Sequence, residues 1–241
     1  MIRGMYSAAS ALDMATLNQE VVAENLANAN SPGYRRQGVV FEHVRQRAQG
    51  SEASPAGKVG GTQSSTVYTD FEQGPLQETG NSLDLALTKN VFFVLDGPNG
   101  PLYTRNGAFQ LDSQGQLLSR SGLPVRSGGG RITVPANTSR ITVNADGAVL
   151  ADNNEIGRLQ LAEFSDPRQL QRAGTSLFQG PAGRQPDVGT YRVQQGYREG
   201  SNVQVVNEMV SMMSGMRQYE AAQKALRALG DALSLSTKPQ G

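Results

Sequence analysis

Residues that could do chemistry are few, and their spacing does not build a reaction centre. His43 is the only histidine and there is no cysteine, which excludes a His-based metal cluster, a thiolate site, a disulfide and a thiol nucleophile. His43 stands at the mouth of a polar stretch, where an exposed bystander is the plain reading. Asp112-Ser113-Gln114-Gly115 and Asp146-Gly147 resemble fragments of calcium loops, but the full run of oxygen ligands is missing and both read as turn formers. Gly128-Gly129-Gly130 leads into a strand pattern, so it lacks the helix N-terminus that lets a glycine loop hold phosphate. No nucleophile–base pair stands out, and the reading assigns no catalytic residue, no cofactor and no metal. The reactive type that does recur is methionine. Met209, Met212, Met213 and Met216 fall at helical spacing, as a helix core or as an adaptable apolar docking surface.

The elements that would carry these residues fall into three regions. At the N-terminus Met5, Ala9, Leu12, Ala15, Val22, Leu26 and Ala29 recur at steps of three, four and seven, which predicts an amphipathic helix over residues 2–30. Three of those seven are Ala, so the stripe is weak and marginal alone. Pro32 disfavours helical backbone at Ser31, and Ser31-Pro32-Gly33-Tyr34 predicts a type II turn with Gly33 at positive φ. Near the C-terminus Val205, Met209, Met212, Met216, Tyr219, Leu226 and Leu233 lie on a seam of alternating three- and four-residue steps. Ser201 and Gln204 suggest a capping box at its start, and Gly215 and Gly230 mark places where another backbone could approach.

Between the helices the chain changes character. There are 28 glycines, well above the usual share of about 7%, and they cluster outside the end segments. Residues 43–75 read as a long polar loop or linker. Val91-Phe92-Phe93-Val94-Leu95 reads as a buried strand turned by Gly97-Pro98-Asn99-Gly100. Hairpins are predicted over 109–118 and 141–150, with further strands at 132–134 and 159–164. The fold class predicted is therefore α+β: paired long terminal helices, coiled-coil-like, enclosing a mostly antiparallel β domain. The segments are 1–36 with 200–241 as a helical assembly domain, 37–80 as an extended linker, and 81–199 as the β domain, within which 83–197 should fold alone.

Lys plus Arg total 22 and Asp plus Glu 21, so the net charge is +1 and no field steers nucleic acid or anionic lipid. No apolar run reaches the roughly 20 residues that span a bilayer, and the N-terminus lacks the apolar core of a secretory signal.

Four stretches carry a resemblance. Asn25-Leu26-Ala27-Asn28-Ala29-Asn30-Ser31-Pro32-Gly33-Tyr34-Arg35-Arg36 resembles the N-terminal signature of bacterial flagellar rod and hook proteins. Gly80-Asn81-Ser82-Leu83-Asp84-Leu85-Ala86-Leu87 is similar to that family's entry into its β domain, and Tyr103-Thr104-Arg105-Asn106-Gly107-Ala108-Phe109 to its central hairpin. Glu199-Gly200-Ser201-Asn202-Val203, with Met209 and Arg217-Gln218-Tyr219-Glu220-Ala221, resembles its C-terminal helix. The resemblance implies a non-catalytic subunit of the flagellar basal-body rod. Its partners would be itself, other axial rod and hook subunits, and the flagellar type III export apparatus, without a cleaved signal, nucleic acid or membrane insertion. It implies that the terminal helices pack as an inner coiled-coil layer with the β domain outward. The turn residues Asn25, Asn28, Ser31, Pro32, Gly33, Tyr34 and Arg35 would shape the junction, with Arg35 and Arg36 available to neighbouring subunits. Length and the short polar segment favour a proximal over a distal rod member. The competing reading, from another class, is a secreted β-domain binder on a helical oligomerisation stalk.

Overall fold

A computed structural model describes residues 2–43 and 63–237. Its contacts divide the chain into two units. One gathers Met1–Ala27, Gln37–Thr69 and Gln204–Gly241; the other gathers Asn28–Arg36 and Asp70–Val203.

The first unit holds helix α1 (Ile2–Ala27), strands β1 (Gln37–His43) and β2 (Gln63–Thr69), and helix α2 (Val205–Thr237). The two helices pack on each other, and β1 pairs antiparallel with β2 from Gln37↔Thr69 to His43↔Gln63. Residues 37–43 and 63–69 of the expected linker thus form an antiparallel ribbon; residues 44–62 lie outside the described residues. α1 buries Ala15, Val21, Val22 and Asn25, with Leu12 and Leu26 half-buried and Ala9 exposed. The side chains of Met5, His43 and Leu233 also lie outside the described residues.

The α2 seam divides between two sides. Its inner side carries Glu208 and Gly215, with Met212 and Leu226 half-buried, whereas Val205, Met209, Met216 and Tyr219 are exposed. Small residues win the contact because they let the helices approach, and the larger apolar side chains turn away from α1. No backbone approaches Gly230 among the described residues. A side-chain amide, that of Asn18, stands 3.6 Å from where a Cβ on Gly215 would sit. Nor does Ser201 cap the helix: its Oγ accepts the Val203 N–H at 3.2 Å, and α2 starts later, with Glu208 N–H reaching Gln204 O at 3.0 Å.

The second unit is the antiparallel β domain. Its strands are β3 (Leu76–Glu78), β4 (Leu85–Leu87), β5 (Val91–Gly97), β6 (Gly100–Thr104), β7 (Phe109–Leu111), β8 (Leu117–Ser119), β9 (Arg126–Ser127), β10 (Gly130–Arg131), β11 (Ile141–Val143), β12 (Ala148–Ala151), β13 (Asn154–Arg158), β14 (Leu161–Glu163), β15 (Gln171–Arg172), β16 (Leu177–Gln179), β17 (Val193–Gln195) and β18 (Tyr197–Glu199). The largest sheet has the order β14-β5-β6-β16-β15. β5 is buried on both faces. Val91, Phe93 and Leu95 join one core with Leu85, Leu87, Phe109 and Val193, while Phe92 and Val94 join a second with Tyr103, Phe164 and Phe178. That explains its unbroken apolar run.

Both predicted hairpins form, as β7–β8 and β11–β12. Residues 132–134 do not form a strand; they make one bridge, Gln116↔Thr133, and bury Ile132 and Val134 beneath it. β13 was not foreseen, since Asn154-Glu155-Ile156-Gly157-Arg158 is mostly polar. Asp152 and Asn153, at φ of 47° and 69°, turn it back onto β12. Two successive positive-φ residues suit a hairpin turn of two residues.

Candidate functional site: a buried arginine–glutamate–arginine cluster

Within the β unit the turn motif meets two others. Tyr34 N–H reaches Ser31 O at 3.3 Å and Gly33 has φ of +66°, as a type II turn requires. A Cβ on Gly33 would lie 2.3 Å from Asn106 N, so the turn presses against the Arg105-Asn106-Gly107 corner. Gly107 is as tight: a Cβ there would lie 1.7 Å from Leu85 O. Gly33 N–H also donates to Glu199 O at 2.9 Å. Ser31 Oγ closes the loop on Asn28 Oδ1 at 3.2 Å.

At the centre is the Glu199 carboxylate, fully buried at the end of β18. Its Oε1 accepts from Arg35 Nη2 at 2.5 Å and from Gly74 N–H at 2.9 Å. Its Oε2 accepts from Arg105 Nε at 2.8 Å and lies 2.6 Å from Arg105 Nη2. Arg105 also donates to the carbonyls of Leu87 at 3.0 Å, Lys89 at 2.6 Å and Val91. It therefore ties three backbone positions around β4 and β5 to one carboxylate. Burial pulls the Arg105 guanidinium down from its ordinary value to about 10, with Glu199 opposing the fall, and it stays cationic at neutral pH. Arg35 is served less fully: its Nε and Nη1 are buried without an acceptor among the described residues.

An outer layer holds the cluster. Arg172 donates to Arg35 O at 2.5 Å and stacks over the rings of Tyr34 and Phe178, at 4.8 and 5.4 Å. Asn202 Oδ1 accepts the Arg36 N–H at 2.7 Å, while its Nδ2 donates to Asp70 O and Glu72 O. The expectation that Arg35 stands ready for neighbouring subunits is therefore corrected: it is 1% exposed, with its charge turned onto Glu199. Arg36 is half-buried. Two guanidinium groups and one carboxylate, all buried and paired with one another, can lock chain segments together.

Comparison with known proteins uses the same three segments. Residues 5–35 match the family model described as flagella basal body rod protein. Residues 86–151 match the flagellar hook protein FlgE/F/G D1 domain, and residues 194–235 the flagellar basal body rod FlgEFG protein C-terminal model. A flagellar basal-body rod protein FlgG of Buchnera aphidicola is 33% identical over 250 residues, covering 94% of this chain and 95% of the relative. The chain belongs to the flagellar basal-body rod protein family. An FlgG of Agrobacterium fabrum is 32% identical over 98% of this chain and 99% of its own. An FlgF of Caulobacter vibrioides is also 32% identical, over 88% of this chain and 87% of its own.

Each matched segment of this rod protein contributes one member of the cluster: Arg35, Arg105 and Glu199. Two of them went unnoticed as site residues. Arg105 and Glu199 lie inside the quoted motifs, and a charged residue set among Gly-rich strand signals was the available cue. Of the foreseen turn residues, Ser31, Pro32, Gly33, Tyr34 and Arg35 come together here with Asn28. Asn25 lies in the helical unit, bonded to Gln37. The loop aspartates build turns. Asp112 Oδ1 accepts from the N–H groups of Gln114 and Gln116, each at 2.8 Å, and Asp146 Oδ1 from that of Ala148 at 3.2 Å.

Proposed function

We propose that this chain, a structural subunit of the flagellar basal-body rod, polymerises through its two terminal helices as a non-catalytic subunit. One observation carries the reading. Val206, Met209, Val210, Met213 and Met216 are 73, 52, 57, 54 and 45% exposed on a single helix, α2. A contiguous apolar stripe of this kind is rare on a protein that works alone. Thioether side chains also adapt to whatever covers them. Stacking neighbours would complete the helical layer, as a coiled coil or a related bundle. The partners are further copies and other axial subunits, delivered by the flagellar export apparatus without removal of the N-terminus. The rival reading, a free β-domain binder on a stalk, has no support from the relatives. Among the described residues no helix is long and apolar enough to cross a membrane.

The test is Met216→Lys. Met216 is half-exposed, so a lysine there costs the isolated chain little. It should nevertheless abolish incorporation into basal bodies, while Met216→Leu, nearly equal in volume, assembles. Normal incorporation of the lysine variant would overturn the proposal. Length and the short polar segment favour a proximal over a distal position. Identity to FlgG and FlgF relatives is nearly equal, at 33% and 32%, so position is read by labelling the chain in purified basal bodies. Label confined to the hook-side end would refute the proximal placement.

A further inference from the structure

We infer that Asn25 and Glu208 are the positioning pair that sets the register of α1 against α2. Asn25 is completely buried two residues before α1 ends. Its Oδ1 accepts the Gln37 N–H at 2.9 Å and its Nδ2 donates to the Gln37 carbonyl at 2.8 Å. The amide thereby copies the two-bond exchange of an antiparallel strand pair. It fixes the last turn of α1 to the first residue of β1. The same Nδ2 lies 3.4 Å from Glu208 Oε2, on the first turn of α2. Glu208 is 1% exposed, an uncommon place for a carboxylate.

What surrounds the pair makes it decisive. α1 offers Ala15, Val21 and Val22 to the interior, and α2 offers Gly215 with half-buried Ser211, Met212 and Ala222. Such a low-relief contact has few knobs to oppose sliding. A buried carboxylate opposes it strongly. A slip of one turn, about 5.4 Å, would carry the buried Glu208 carboxylate away from the Asn25 amide. A single polar group in a helix interface sets register in this way. A second contact reports the same alignment: Asn18 stands against Gly215, one heptad back along α1 and one heptad forward along α2. The helices therefore run antiparallel in one register. That register fixes which way the Val206–Met216 stripe faces; this consequence for assembly rests on the proposed function, while the register itself does not.

The chain has no cysteine, so engineered pairs report without background. In the full-length chain, Asn18→Cys with Gly215→Cys should form a disulfide on mild oxidation at least tenfold more than Asn18→Cys with Tyr219→Cys, one turn along. Asn25→Leu with Glu208→Leu should keep the helical circular dichroism signal but bring the two yields within about threefold. Glu208→Gln, which can still accept from Asn25, should restore the preference. If the double leucine variant loses its helical signal, Asn25→Ala deletes only the amide and takes its place with the same two outcomes. A tenfold preference that persists without the pair would overturn the assignment, as would the absence of any preference in the parent. Failure of assembly with the preference intact would instead count against the proposed function.

Discussion

The two units of this rod protein solve the burial problem in opposite ways. In the β unit Leu85, Leu87, Phe92, Phe93, Leu95 and Phe178 are each no more than 2% exposed, and even its charged cluster is sealed. Among the described residues of the helical unit, two helices and a two-stranded ribbon bury little beyond Ala15, Val21, Val22 and a few polar groups. Phe41, Val67 and Tyr68 on the ribbon stay 42, 41 and 45% exposed. A stripe or sheet face must be covered by a second layer, and a lone hairpin is marginal in water. The β unit contains its layers. Among its described residues the helical unit has one, which supports the proposal that other subunits complete it.

The largest effect should come from cutting the β unit short. Residues 83–197 contain the hairpins and both cores but omit Glu199, β3 and the turn of 28–36. Arg105 would then be buried without its carboxylate, which costs about 3–5 kcal/mol. A fragment of residues 70–203 should show a cooperative melt, and 83–197 should show none or melt more than 10 °C lower, by the usual scaling of about 3 °C per kcal/mol. Equal melting would mean that closure does not depend on the cluster.

In the full chain the same cluster predicts an order among single changes. Glu199→Ala leaves two buried guanidinium groups and should cost about 3–5 kcal/mol. Arg105→Ala should follow, since three carbonyls and half of the carboxylate lose their donor. Arg35→Ala should cost least, because two of its nitrogens have no acceptor among the described residues and Glu199 keeps Arg105 and Gly74. Denaturant melts of the three variants test this, and an Arg35 variant weaker than the Arg105 variant would break the account. Gly33→Val should fall lower still, at about 1–3 kcal/mol, from positive φ and contact with the Asn106 backbone.

Legibility in the sequence followed the range of the interactions. The type II turn at Ser31–Tyr34, the strand Val91–Leu95 and both hairpins rest on neighbours a few residues apart, and their residue types announce them. β13 was hidden because Asp152-Asn153 supplies the turn without glycine. The cluster was hidden for a different reason: Glu199 lies 164 positions from Arg35 and 94 from Arg105, and no periodicity links such residues. The α2 seam was read from apolarity, which found the large side chains but left open whether α1 or a neighbouring subunit covers them. The side that meets α1 is marked by Gly215 and Glu208, residues that an apolar pattern passes over.

That open choice of partner yields the smallest predicted effect and the sharpest contrast. Met209 and Met213 are 52 and 54% exposed, so Met209→Gln with Met213→Gln removes little buried apolar area from the isolated chain. Its denaturation midpoint should move by under about 0.5 kcal/mol, as surface changes do. The same exchange at Phe92, 2% exposed and edge-on to Phe71, Phe164 and Phe178, should cost about 3–5 kcal/mol. If the stripe is covered by neighbours, the methionine double variant should still assemble poorly, because glutamine amides would be buried between subunits. Stability and assembly then separate: one unit controls the first and the other controls the second. A double variant that is destabilised in isolation as much as the Phe92 variant would show that the stripe already has a partner within the chain, and the difference between the two units would disappear.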